Sequence, residues 1–600
     1  MAERERKDWD QIHKAITENQ PVNIENAIIE VGAQLRNGTV ARDFSLRNCI
    51  VRGTLTFNFV TFGESVSFTD TVFEGGISLT GCKIQCQFVN VGVEFWNTAE
   101  FEGLSVGGHA YFERVVFKAA PNFAMTSWGP FTTFNGTKFD HGAAFLSATF
   151  GGHAVFENDT QATGGPIDLT FATINGMFLA HRSRFEQSLL LVSVRTAGAI
   201  RITETEFGPE AMLSLYHARI GGDLEIKECR FLSASTCLYL DGVQVDGGCS
   251  VGSVSCRGGT YAQNARFRSY LAIGGLQKRV DGEAQKKSQF DGAFSLSGSK
   301  VDDSLNCTDA VFKGDVQKDD KDKKDKDVEP EALFTGMKVG DDTYIIRCNF
   351  KHGAKFHRSQ FTGVFGTDSH YDGFVSCQNT RFHNAVRFLP GCTFERGADF
   401  YFCTFDEEAN FGGATIRVEL TLYNCEFCRS LLFVDPTHKS VFTRFDGDAR
   451  LQLTGSTYGT LEPATADSLQ QLIGRIPNVP TEDLSLVFLE QWLRRSGRQE
   501  EADMVRYHCF ERRSGRLAWW SRNWWQLSWN RFYRASTGYG TVVWPVLVVA
   551  LLAGAAALAV TLMPGPDSVW KGTTKAICTA LATSALGLGM EPVKRRLWPQ

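Results

Sequence analysis

Cys425 and Cys428 form a CxxC, the spacing at which two thiolates can grip one zinc ion. A structural zinc site takes four ligands, and no second pair in the chain has matching spacing. Cys229, Cys348, Cys392, Cys403 and Cys425 each lie two residues before a Phe, a placement that fits packing better than ligation. The carboxylate pairs Asp302–Asp303 and Asp341–Asp342 are candidates for glycoside chemistry, which needs two acids facing one cleft. Adjacent residues on a strand face opposite sides, so neither pair can do this. His109, His141, His153 and His352 recur in HA or HG units, as outward-facing corner residues would. The chain has no nucleophile elbow, phosphate loop or dinucleotide fingerprint in a strand–helix setting. No catalytic, cofactor-binding or metal-ligating residue is assigned, and an enzyme is not expected.

The elements that carry these residues are set by phenylalanine. Phe101, Phe112, Phe123, Phe134, Phe145 and Phe156 are spaced by eleven residues, with Phe117, Phe139, Phe150 and Trp128 interleaved on the same step. The gaps therefore alternate between five and six. The spacing returns as Phe388, Phe394, Phe400, Phe405 and Phe411. Two residues before each Phe there is usually a small one, as with Ala99, Ala110, Ala143, Ala154, Ala398 and Ala409, while Val386 holds that place before Phe388. Residues two apart on a strand share a face, so each short strand sends one large and one small side chain inward. Gly and polar residues between the units supply corners. Stacked units put Phe above Phe, and the reading is an all-β solenoid over 21–457. Roughly twenty coils about 4.8 Å apart would make a rod on the order of 90 Å long.

Stretches such as FDHGAAFLSATFGGHAVF (139–156) and FERGADFYFCTFDEEANFGGATI (394–416) resemble the pentapeptide-repeat proteins. The resemblance implies a right-handed quadrilateral β-helix, with corners looser than the family ideal because the step is not a strict five. A variant in which Leu, Ile and Val partly replace Phe occupies 215–231, 294–307 and 333–345. The charged segment 313–332 reads as a disordered insertion, and 275–289 as a milder one.

Both ends of a solenoid need covers. Residues 1–20 are expected to cap the first coil, with a charged helix over 3–18. Helical periodicity over 458–518 predicts a cap and linker, with two helices around Gly497 and an apolar face of Leu486, Phe488, Leu489, Trp492 and Leu493. The remainder, 519–600, reads as a membrane anchor. LAWWSRNWWQLSWNRFYR (517–534) mixes Trp and Arg as a cytoplasmic membrane flank does. The uncharged run 541–563 is long enough to span a bilayer, and 576–590 is a weaker apolar stretch followed by Lys594, Arg595 and Arg596. A transmembrane hairpin with both ends cytoplasmic follows. It places the rod on the cytoplasmic side of the inner membrane.

STGYG (536–540) contains the letters of a potassium filter, but it precedes the first span instead of lying between two, so a juxtamembrane turn is the better reading. A Gly-Tyr-Gly before an apolar span, after an Arg/Trp-rich linker, is similar to the tail of some membrane-associated bacterial pentapeptide-repeat proteins. That resemblance implies a two-span, ion-channel-like module with a pore-loop segment near 580–589. Here no second long span follows residue 590. Segment 576–590 is thus the second crossing, a re-entrant element, or the end of a truncated module. Thr579, Thr583 and Ser584 would line a wet path or pack against other helices.

The bulk composition narrows the function classes. A net charge of −5, from 67 acids and 62 bases, is too even for a nucleic-acid binder or for a DNA mimic of the topoisomerase-binding type. The opening twenty residues lack the apolar core of an export signal, so the sixteen cysteines are expected to be reduced. A polysaccharide-acting β-helix enzyme is weighed and disfavoured on the same grounds. The expected function is a membrane-anchored scaffold or sensor that binds a protein partner through the rod. Oligomerised hairpins, in contact with lipid, would form a pore under its control.

Overall fold

A computed structural model describes residues 5–31, 34–274, 287–314, 332–434, 442–462, 466–479 and 482–516, with isolated positions 552 and 555. The chain winds into a right-handed β-solenoid of about 18 turns. One early coil shows the plan, with strands Phe44–Arg47, Ile50–Arg52, Leu55–Asn58 and Thr61–Phe62 on four successive sides. Each strand pairs in parallel with its equivalent 22 residues on, as Val66 does with Phe44 and with Phe88. Two steps of five and six thus close one coil, and the eleven-residue spacing is half a turn.

The alternation has a backbone cause. Asn26, Asn37, Asn48, Phe59 and Asp70 lie eleven apart with φ of 54, 51, 50, 56 and 47°. A left-handed residue turns every second corner tightly, two residues after an inward side chain. The remaining corners are wider and pass close over the coil below. A Cβ on Gly129 or Gly152 would lie 2.0 or 1.9 Å from a carbonyl oxygen of the preceding coil, so only glycine fits there.

The fourteen expected phenylalanines are all buried. Phe112, Phe134 and Phe156 pair in register on one side, with ring centroids 4.7 and 4.8 Å apart. Phe101, Phe123 and Phe145 stack at 4.9 and 4.7 Å on another side, and Phe117 and Phe139 at 5.3 Å on a third. Phe150 stacks under Trp128 on the fourth, their centroids 6.4 Å apart. Later, Phe388 stacks with Phe411, Phe405 with Phe427, and Phe394 with Tyr371. Phe400 departs from the expectation: its register neighbours are Cys377 and Leu422, so that column is mixed.

Both ends are covered. Residues Glu5–Asp8 form a strand paired with Ala27–Glu30, so the helix expected over 3–18 is confined to α1 (Trp9–Thr17). Trp9, Ile12 and Ile16 of α1 are buried on the first coil. The last strand, Thr457–Glu462, carries the solenoid five residues past the expected limit at 457. Beyond it come α2 (Ala466–Arg475), α3 (Asp483–Arg495) and α4 (Gln499–Arg516). The two helices around Gly497 match the expectation, and α2 is additional. Leu486, Leu489 and Leu493 join the solenoid core, whereas Phe488 faces solvent, a correction to the expected apolar face. Buried Glu482 accepts hydrogen bonds from the Thr454 hydroxyl and from Ser485 Oγ at 3.1 Å, tying the cap to the final coil. Asp483 holds Arg513 and Arg516 of α4 at 3.1 and 2.6 Å.

Among the described residues no helix is long and apolar enough to cross a membrane. The span expected over 541–563, apart from positions 552 and 555, the segment 576–590, the STGYG turn, and Thr579, Thr583 and Ser584 lie outside the described residues. So do most of 313–332 and of 275–289.

Candidate functional site

The residues singled out for chemistry are mostly structural. Cys229, Cys348, Cys392, Cys403 and Cys425 are buried, while Cys428 is exposed, so the CxxC points its two sulfurs to opposite sides of the wall. No cluster of three or more metal ligands occurs among the described residues. Burial pushes the Cys229, Cys348 and Cys392 thiols up to about 12, far from a reactive thiolate. None of the fifteen described cysteines forms a disulfide.

The small place before each large residue has a role that composition alone does not show. Thr71, Thr137 and Thr160 donate their hydroxyls to the carbonyls of Leu46, Phe112 and Phe134 in the coil behind, at 3.2, 2.8 and 2.6 Å. Cys82 and Cys425 donate their thiols to Phe57 and Phe400 in the same way, at 3.2 and 3.1 Å. These donors satisfy buried carbonyls at the tight corners, which explains why Thr, Ser and Cys alternate with Ala there.

The two adjacent acid pairs, already set aside for glycoside chemistry, sit in different surroundings. Asp302 is gripped by Lys300 and by Arg266 (3.1 Å), which hold its carboxyl below the usual range. Asp342 is shifted up by burial and by the charge of Asp341 beside it on the strand. A separate carboxyl, Asp399, is pushed up to about 6 by burial, offset in part by a hydrogen bond from Thr421. His141 and His352 are exposed at corners as expected, His153 is exposed at the start of a strand, and His109 is half-buried.

What remains is surface. Ion pairs climb it from coil to coil: Arg52 sits between Glu30 and Glu74, 3.4 Å from each, and Arg417 between Glu395 (3.2 Å) and Asp446 (3.7 Å). One edge differs. Its tight corners place Phe59, Met125, Phe171 and Phe402 in the left-handed region with more than half of each side chain in water. A bulky residue in that conformation is costly and gains little from being exposed. Sequence reading missed these four, because a Phe or Met off the five–six step carries no visible mark.

No protein-family model, curated protein or solved structure matches this chain.

Proposed function

We propose that the chain is a membrane-anchored scaffold: its rod docks a protein partner, and its C-terminal apolar segments hold the rod at the cytoplasmic face of the inner membrane. The observation that carries the reading is a continuous, end-capped rod whose side chains are spent on stacking inside and on ion pairs outside. Each coil contacts only its neighbours, which favours a long, stiff surface over a cleft. The solenoid is compatible with the pentapeptide-repeat type, and the resemblance of the tail to membrane-associated members supports a pore formed by oligomerised hairpins. In that form the rod senses a partner and the hairpins conduct ions.

The test is ion flux and oligomeric state in liposomes, for the full chain and for a chain ending at Arg516. Flux from a full-length oligomer, absent after truncation, supports the pore form. Tight membrane retention without flux leaves the anchored scaffold. Flux or retention that survives truncation contradicts both.

A further inference from the structure

On four successive coils, the tight corners at Phe171, Ser193, His217 and Gly242 run beside the strand positions two residues later. Those positions are Thr173, Arg195, Arg219 and Gln244, paired in register. The two columns line a surface groove of about 510 Å³, and no acid is among the lining residues.

Arg195 and Arg219 are direct cross-strand neighbours, so their backbones lie about 4.8 Å apart. Like charges placed this way repel. Elsewhere the solenoid answers such cations: Arg266, two rungs further along the same column, meets Asp302 at 3.1 Å, and Arg184 meets Glu186 at 2.6 Å. Among the described residues, neither Arg195 nor Arg219 makes a side-chain hydrogen bond or ion pair. Two uncompensated guanidinium forks on rigid strands, flanked by the hydroxyls of Thr173 and Ser193, are the donor set that a phosphate dianion takes.

Phe171 supplies the second half of the site. It is 64% exposed with φ 61°, a conformation in which Asn or Gly would be less strained. The other exposed corner residues lack the cation pair: Phe59, Met125 and Phe402 are followed by Thr61, Ser127 and Thr404, and in the next coil by Lys83, Thr149 and Glu426, and the single cation Lys83 is followed in turn by Ser105. The aromatic edge and the arginine pair coincide at one place on the rod. We infer that this groove binds a small aromatic phosphomonoester, of the mononucleotide class, with its phosphate between Arg195 and Arg219 and its ring on Phe171. The inference is independent of the membrane and partner reading.

The test is calorimetric titration of the full chain, in neutral detergent, with adenosine 5′-monophosphate, inorganic phosphate and adenosine. The nucleotide should bind at least tenfold tighter than phosphate or adenosine alone. R195Q and R219Q should each weaken nucleotide and phosphate by tenfold or more, with circular dichroism unchanged. F171N should lower the nucleotide to the affinity of phosphate and leave phosphate binding intact. R266Q, whose arginine is already paired, should leave all three unchanged. No nucleotide binding, equal losses in R266Q and R195Q, or a nucleotide preference untouched in F171N would each overturn the assignment.

Discussion

Phe123 lies between Phe101 and Phe145, fully buried, with ring centroids 4.9 and 4.7 Å away. Truncating it opens a cavity that a rigid stack cannot close, so F123A should cost about 3–5 kcal/mol in urea unfolding. F402N is the counterpart: an exposed ring leaves a left-handed corner, and stability should hold or rise by up to about 1 kcal/mol. Asp399 gives a pH signature. Its carboxyl moves from 3.8 to about 6 on folding, so between these values the folded chain keeps a proton that the unfolded chain has lost. Stability therefore falls as pH rises through that window. In D399N that part of the decline should vanish from urea midpoints measured across the same range. Native alkylation offers a simpler reading of the wall, with Cys86 and Cys428 labelled ahead of the buried described thiols. The inward residues were legible because a large aromatic recurring on a fixed step demands a stacked interior to hold it. The left-handed corners were not, since Asn48, Phe59 and Asp70 share a conformation but no side-chain chemistry.

At the scale of elements, the cap on the last coil hangs on Glu482. Its carboxylate receives the Thr454 and Ser485 hydroxyls. E482A leaves buried donors unpaired, at about 1–3 kcal/mol. The loss should be local: hydrogen exchange should quicken first in 450–462, before the central coils respond. Equal quickening along the whole rod would contradict a nearest-neighbour solenoid. The helices α3 and α4 were legible from apolar periodicity broken at Gly497, where φ is 78°. Phe488 was misplaced because a short amphipathic stretch permits more than one apolar face, and packing against the last strand, Thr457–Glu462, picks among them. The strand Glu5–Asp8 was missed because its pairing partner, Ala27–Glu30, is distant in sequence and its own residues are charged.

Across the whole molecule, the expected twenty coils become about 18 turns. Strand register shows where the residues go. Leu271 pairs with Leu305, and Leu305 with Thr343, so those coils take 34 and 38 residues where 22 suffice at the start. Charged insertions lengthen single coils without adding rungs. At about 4.8 Å per coil the rod is on the order of 85 Å long. The arginine pair in the groove was hidden for a related reason: Arg195 and Arg219 are 24 residues apart, and only the register shows that they are neighbours. The proposed function rests on one further step, from rod to membrane. Liposome flotation of the full chain, beside a chain ending at Arg516, tests it directly. The account predicts that the full chain floats with the lipid while the shorter one stays below as a folded, monodisperse rod. A full chain left below, or a shorter chain that floats, would contradict it.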